Sequence, residues 1–187
     1  MYYKKLSFSQ LNYTEQDRLQ LLDYFDSKVG MRGYGSQFKK AQFEKNEQLP
    51  SYILSLYERY DFFANNFVVH KTSKCSDTLD APTRHIHIDD RYAALNIPIK
   101  GCTTGCATAF FSYKNLKRIE LPVPNNSITF IKEGEIEEID RFYLEMDSAY
   151  LLDTTLPHAK IQISPEPRLF LSMILTIPFA EAVKYFE

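Results

Sequence analysis

The sequence has no apolar run long enough to cross a bilayer. Its longest, Leu169 to Ala180, is interrupted by Ser172, Thr176 and Pro178 and falls well short of the roughly 18 residues that a spanning helix needs. A membrane partner is therefore not expected. Nor is there an excess of charge of either sign. The 22 Lys and Arg against 24 Asp and Glu leave a formal net charge of -2, which removes the broad attraction that nonspecific nucleic-acid binding relies on. The pair Lys39-Lys40 is too short to restore it locally, so duplex nucleic acid is not an expected partner. Cysteine is scarce and odd in number: Cys75, Cys102 and Cys106 sit in a chain large enough to need no disulfide staple. Cys102 and Cys106 flank a Gly-containing turn but lack the partner pair of a structural zinc site, and we take the three as structural thiols in a reducing compartment. There is no internal repeat and no low-complexity segment. The start, Met1-Tyr2-Tyr3-Lys4-Lys5-Leu6, runs into Ser, Gln, Asn and Thr rather than a continuous apolar core, which speaks against a secretory signal. A cytoplasmic location is expected.

What is present suits a compact globular protein. The 187 residues are 44% hydrophobic, 14% aromatic and 25% charged, enough apolar material for one core and one domain over residues 1–187. The front and back of the chain differ. Thr14 followed by Asp17 forms a capping-box pattern, and Leu19, Leu22, Phe25 and Val29 recur on one helical face before Gly30. Gly33-Tyr34-Gly35-Ser36 marks a loop within residues 31–44. A second helix is expected after Pro50, with Ile53, Leu56, Tyr57 and Tyr60 sharing a face and an end by Asn65-Asn66. Residues 1–66 thus read as a helical support region.

After residue 66 the apolar period shifts toward two. Strands are expected over 67–70, 85–89, 93–99, 107–113, 127–131, 138–145, 149–153, 158–164 and 168–174, with an edge strand over 116–121. Pro82, Gly101, Gly105, Pro122, Pro124, Gly134, Pro157, Pro165 and Pro167 punctuate them as turns. Acidic residues between Glu133 and Asp147 alternate partially with Ile and Phe, as on the solvated face of a hairpin. The expected fold is mainly β with N-terminal helices: a double-stranded β-helix, jelly-roll or cupin-like, with its core over residues 67–177.

The chemical signal lies in Arg84-His85-Ile86-His87-Ile88-Asp89-Asp90, which contains two of the four histidines. Residues two apart on a strand share a face, so His85, His87 and Asp89 line one side and Ile86 and Ile88 the other. Such a tripeptide also occurs on surface strands, where the His and Asp pair only with each other. A metal site needs a ligand from another strand, and His158, just after Pro157, is the strongest candidate. Two imidazoles and one carboxylate make the facial triad of non-haem Fe(II), which leaves coordination positions open.

In order and spacing these residues resemble the Fe(II)/2-oxoglutarate-dependent dioxygenase superfamily, in the small-domain style of the prolyl and asparaginyl hydroxylases. The resemblance covers approximately residues 67–177. It implies that the metal motif HxD, then His, is His87, Asp89 and His158, with His158 69 positions after Asp89. His85 could compete with His87, but its spacing fits the motif less well. The resemblance also implies a basic residue about ten positions beyond the distal His for the far carboxylate of 2-oxoglutarate, and Arg168 stands there. A guanidinium offers that carboxylate two parallel donors; outside this register such an Arg is ordinarily a surface residue.

Asn96, in Ala93-Ala94-Leu95-Asn96-Ile97-Pro98-Ile99, lies in a region that lines the cosubstrate pocket of related enzymes. If it faces inward it needs a partner, either the cosubstrate or a neighbouring backbone group. Thr108 and Tyr113 could offer hydroxyls to the carboxylate that Arg168 binds, Tyr113 having the better reach. Some members carry a serine two residues after the Arg, where this sequence has Phe170. Asp89 sets the chain apart from the halogenase branch, in which that ligand position is vacant.

The implied cofactor is Fe(II) and the implied cosubstrate 2-oxoglutarate. The implied reaction is hydroxylation of a small-molecule or polypeptide substrate, 2-oxoglutarate becoming succinate and CO2. Two alternatives are a noncatalytic cupin-like binding module and a metal-dependent cupin enzyme without 2-oxoglutarate. A deep or a superficial Arg168 separates them. His70 reads as a strand-end or surface histidine, and Arg84, Arg91 and Arg141 as solvated charges unless they stand at the pocket mouth. Residues 31–47 or 71–84 are candidates for closing over substrate. Oligomeric state is not legible.

Overall fold

A computed structural model describes residues 1–29, 38–45, 48–72, 86–101, 105–119, 127–164 and 166–187. The front of the chain forms β1 (Tyr3–Ser7), α1 (Glu15–Val29), β2 (Phe38–Glu44), α2 (Ser51–Arg59) and β3 (Phe63–Thr72). Next come β4 (Ile86–Asp89), β5 (Ala93–Lys100), β6 (Cys106–Phe111), β7 (Leu116–Ile119), β8 (Ser127–Lys132) and β9 (Glu138–Tyr143). The chain closes with β10 (Ser148–Asp153), β11 (His158–Gln162), β12 (Arg168–Leu175) and α3 (Phe179–Tyr185). Every pairing is antiparallel. The strands make two six-stranded sheets, β1-β10-β5-β12-β3-β2 and β7-β8-β4-β11-β6-β9, a mainly β, cupin-like arrangement. No helix among the described residues is long and apolar enough to cross a membrane.

Alternation along the strands of the first sheet assigns its two faces. Leu95, Ile97 and Ile99 of β5, Leu171 and Met173 of β12, and Phe67 and Val69 of β3 belong to one core with Leu21 and Phe25 of α1 and Ile53 and Leu56 of α2. The residues between them, Asn96 and Pro98, Arg168, Phe170 and Ser172, His70 and Thr72, turn to the other face. That face meets the second sheet: Tyr150 of β10 stacks on Phe142 of β9 at 4.5 Å between ring centroids, and both join Cys106 and Phe110 in a separate cluster. The far face of the second sheet holds its own smaller cluster, which includes Ala107, Ala109, Phe111, Ala159 and Ile161. Pro98 cannot donate to a ladder. Accordingly the β10–β5 pairing ends at Asn96, and the β12–β5 register slips between Leu169 and Phe170, next to Pro98.

The first helix begins as its sequence predicts. Asp17 N–H donates to Thr14 Oγ1 (3.2 Å) and Thr14 N–H donates to Asp17 Oδ2 (2.9 Å), a reciprocal capping box. Its buried stripe differs from the expected one: Leu21 and Phe25 are in the core, whereas Leu19 is 50% exposed. Leu21 and Phe25 are one turn apart, and Leu19 is rotated too far from them to reach the sheet. The second helix buries Ile53, Leu56 and Tyr57 as expected. It ends at Arg59, before Asn65-Asn66 as expected, and the strand that follows, β3, pairs with both β2 and β12. The front third is therefore not helical throughout: β1 and β2 form the two edges of the first sheet. Of the residues considered for closure over substrate, 31–37, 46–47 and 73–84 lie outside the described residues.

Candidate metal centre

Strand β4 alternates as its sequence requires, with Ile86 and Ile88 against the far cluster of the second sheet and His87 and Asp89 on the inward side. Ladder pairing brings in the third residue, since β11 lies beside β4 with His158 directly opposite His87. Ligand atoms of His87, Asp89 and His158 all lie within 4.8 Å of one another. The His87 and His158 ring centroids are 4.5 Å apart, and His87 Nε2 is 3.8 Å from Asp89 Oδ1. The Nδ1–H of His158 is placed to donate to the Leu156 carbonyl at 2.8 Å, which leaves Nε2 as the acceptor for an ion, the arrangement a metal-binding imidazole needs. His85 lies outside the described residues.

The electrostatics suit a cation. Burial, first, and the neighbouring His87, second, push the His158 pKa from 6.5 down to about 3, against the opposing pull of Asp89. The ring is thus neutral and ready to coordinate at physiological pH. Burial alone would raise the pKa of Asp89, but Arg91, His158 and His87 outweigh it and hold the carboxyl at about 2.

The His158 shift has a consequence for the metal-free protein. Between pH 6.5 and about 3 the unfolded chain protonates this imidazole and the folded chain does not, so stability falls as pH drops through that window. The slope from this one group is at most about 1.4 kcal/mol per pH unit. Denaturant unfolding of metal-free protein near pH 7 and pH 5 should differ by roughly 2 kcal/mol more in the wild type than in His158→Phe. Equal differences would remove His158 as the cause.

Arg168, the first residue of β12, is 1% exposed despite its charge. Its Nε donates to Thr72 Oγ1 at 2.8 Å, and that hydroxyl donates in turn to Gln162 Oε1 at 2.6 Å. Gln162 Nε2 then donates to the carbonyls of Thr72 (3.2 Å) and Glu166 (2.9 Å). Because Gln162 is on β11 and Thr72 on β3, this chain crosses from one sheet to the other and places Arg168 in the same interior as the His/Asp/His cluster. On β11, His158, Lys160 and Gln162 share a face, and the four-residue step from His158 to Gln162 spans about 13 Å. Arg168 Nη1 is buried with no hydrogen-bond partner among the described residues, although a charged donor carries a large penalty when left unmatched. Gly101, with φ +68°, lets the chain pass close by: a Cβ there would lie 2.2 Å from the Pro167 carbonyl oxygen, beside Arg168.

Asn96 is 8% exposed on the inward side of β5, and its Oδ1 is likewise buried without a partner. It pairs in register with Ser172 and Tyr150. Thr108 is buried on β6 opposite Lys160. Tyr113 is not brought to this interior. It follows the end of β6, is 52% exposed, donates its hydroxyl to the Thr155 carbonyl at 3.1 Å and packs edge-on against Phe130, a member of the far-face cluster. The strand expected to carry it ends at Phe111, so Tyr113 lies beyond β6.

His70 also departs from expectation. It is buried, stacked on Phe170 with ring centroids 4.7 Å apart, and its Nδ1 lies 3.2 Å from Lys160 Nζ. Arg91 is not a solvated charge but holds Asp89, while Arg141 pairs with Glu138 at the sheet edge. Extending the period of two along β11 would have found Lys160 after His158, whereas Arg91 lies beyond the end of β4. Nothing in the sequence points to Thr72 or Gln162, which matter only through a contact between sheets.

No protein-family model and no curated protein matches the sequence. Solved structures do match in fold. The non-heme alpha ketoglutarate dependent carbocyclase SnoK from nogalamycin biosynthesis aligns with a TM-score of 0.56 at 7% identity, over 92% of this chain and 78% of that one. The non-heme alpha ketoglutarate dependent epimerase SnoN of the same biosynthesis aligns at 0.55 and 12% identity, over 93% and 78%, and SnoN has a structure with Fe3+, alpha ketoglutarate and nogalamycin RO. Escherichia coli ycfD aligns at 0.45 and 14% identity over 82% of this chain, which spans only 36% of the ycfD chain. In fold the chain is thus similar to two alpha ketoglutarate dependent enzymes, and its own strands bring His87, Asp89 and His158 together.

Proposed function

We propose that the protein is an Fe(II)- and 2-oxoglutarate-dependent oxygenase that hydroxylates a small-molecule or polypeptide substrate, with a double-stranded β-helix core over residues 67–177. His87 Nε2, Asp89 Oδ1 and His158 Nε2 would hold the iron, a donor set of two imidazoles and one carboxylate suited to a non-haem site with open positions. Arg168 would take the far carboxylate of 2-oxoglutarate. The observation that carries this proposal is the buried, unmatched Nη1 of Arg168, in the interior that also contains the cluster. A carboxylate there supplies the missing acceptor and the opposite charge together. Asn96, with an unmatched Oδ1, would accept a hydrogen bond from a donor bound beside the metal ligands.

Bound together, iron and 2-oxoglutarate supply the activation of O2: one oxygen atom ends in the hydroxylated product, the other in succinate, and CO2 is released. This chain's own contribution is orientation and exclusion of water. Thr72 and Gln162 set the plane of the Arg168 guanidinium, while Phe170, Pro98 and Phe110 make the interior apolar and strengthen its charge interactions. A noncatalytic module, or a cupin enzyme that does not use 2-oxoglutarate, has no use for a buried guanidinium whose Nη1 lacks an acceptor.

Anaerobic titration of Fe(II)-loaded protein with 2-oxoglutarate tests the proposal directly. The expected result is a visible metal-to-ligand charge-transfer band that saturates with cosubstrate. Iron binding with neither that band nor measurable 2-oxoglutarate affinity would overturn it. Substrate screening in air then asks whether succinate forms in proportion to oxidised product.

A further inference from the structure

Asp89 does not stand alone in the cluster. Both Nε and Nη2 of Arg91 contact its Oδ2, at 2.8 and 2.6 Å, while Oδ1 faces His87 Nε2 at 3.8 Å. The backbone around this pair is clasped as well. Asp89 N–H donates to the Thr154 carbonyl at 3.0 Å, and the Thr154 hydroxyl donates back to the Arg91 carbonyl at 2.9 Å, with Thr154 itself buried. Arg91 is two residues beyond Asp89, and both side chains are largely shielded from solvent. A flexible surface pair would show neither this double contact to one oxygen nor the backbone clasp.

The geometry points to Arg91 as the positioning residue of the metal carboxylate, an inference that rests on the metal-centre proposal and deepens it. A carboxylate free to rotate can give both oxygens to one ion, which uses a coordination position and shifts the site's geometry. With Oδ2 engaged by two guanidinium donors, Asp89 offers Oδ1 alone. The protein then contributes three donor atoms, and the remaining positions stay open for cosubstrate and O2. Lysine does not reproduce this, because its ammonium is a single point of charge on a flexible stem and cannot hold one oxygen with two nitrogens of fixed spacing.

Anaerobic Co(II) titration of wild type, Arg91→Gln, Arg91→Lys and Asp89→Ala tests the inference without turnover. Cobalt serves as the probe because its d–d absorption reports coordination number. Arg91→Gln is expected to weaken Co(II) binding about 10- to 100-fold, the usual effect of losing a group that orients a ligand, and to change the intensity of the d–d bands as Asp89 turns toward two-oxygen coordination. Arg91→Lys should recover part of the affinity but not the wild-type spectrum. Unfolding of the metal-free proteins separates stability from positioning. If Arg91→Gln loses stability but its folded form keeps wild-type affinity and spectrum, Arg91 is structural only and the inference is overturned. Should Arg91→Gln not fold, wild-type affinity and spectrum in Arg91→Lys would overturn it equally. Wild-type protein that binds no Co(II) removes the metal centre and the inference with it. Loss of binding in Asp89→Ala beside unchanged Arg91 variants removes the inference alone.

Discussion

Asp89→Ala should abolish tight binding of Fe(II), with an affinity loss on the order of 100-fold or more, beyond the range seen when only a ligand-orienting neighbour is lost. Two effects act in the same direction. The substitution removes the only carboxylate in a cluster otherwise made of two imidazoles. It also releases Arg91, whose guanidinium contacts Asp89 at 2.6 Å, and leaves a cation facing the site with no compensating charge. A dication entering that field meets repulsion where it previously met attraction. Asp89→Asn separates the two effects, since it keeps the shape and an oxygen donor but loses the charge. Its affinity should fall between those of wild type and Asp89→Ala. Anaerobic Fe(II) titration, or Mn(II) binding followed by paramagnetic resonance, measures all three, and unchanged affinity in Asp89→Ala would sink the assignment of this ligand.

Arg168→Met should leave iron binding near the wild-type level while 2-oxoglutarate affinity falls by about 2 to 5 kcal/mol, roughly 30-fold at the lower end. The reasoning starts from the cosubstrate-free protein, where Arg168 is almost fully buried with Nη1 unmatched. A buried charge with incomplete partners costs stability, and replacing one by an apolar side chain of similar volume is often neutral or stabilising. Loss of Arg168 takes one hydrogen bond from Thr72, whose hydroxyl keeps its bond to Gln162. Metal-free Arg168→Met is therefore expected to unfold at the wild-type temperature or above it. A purely structural Arg168 predicts the reverse: a lower unfolding temperature with unchanged cosubstrate affinity. Arg168→Lys keeps the charge without the fork and should fall between wild type and Arg168→Met in affinity.

Much of the fold was legible in local pattern. Every strand expected after residue 66 has a counterpart, with ends displaced by a few residues, because turn residues and alternation act over short stretches of chain. The edge strands β1 and β2 were not legible. Lys4-Lys5 and Lys39-Lys40 give them little apolar alternation, and they exist because β10 and β3 present unpaired backbone groups. Tyr113 was chosen for the reach of its side chain, but the strand taken to run to residue 113 ends at Phe111, and the hydroxyl bonds the Thr155 carbonyl.

By itself the sequence determined that His87 and Asp89 share a face, that Thr14 and Asp17 cap the first helix, and which short segments alternate as strands, since each of these depends on backbone periods of two or 3.6 residues. It did not determine which face looks inward or which strands become neighbours. Only the tertiary structure set β11 beside β4 so that His158 lies opposite His87, buried Arg168 behind Thr72 and Gln162, and turned His70 onto Phe170. The resemblance named His158 and Arg168 in advance but not the side chains that hold Arg168. Period says which residues point the same way along one strand, whereas contact across strands and between sheets depends on how the whole chain satisfies its backbone hydrogen bonds and buries its apolar faces, and residues as distant as Thr72 and Gln162 meet only once that is settled.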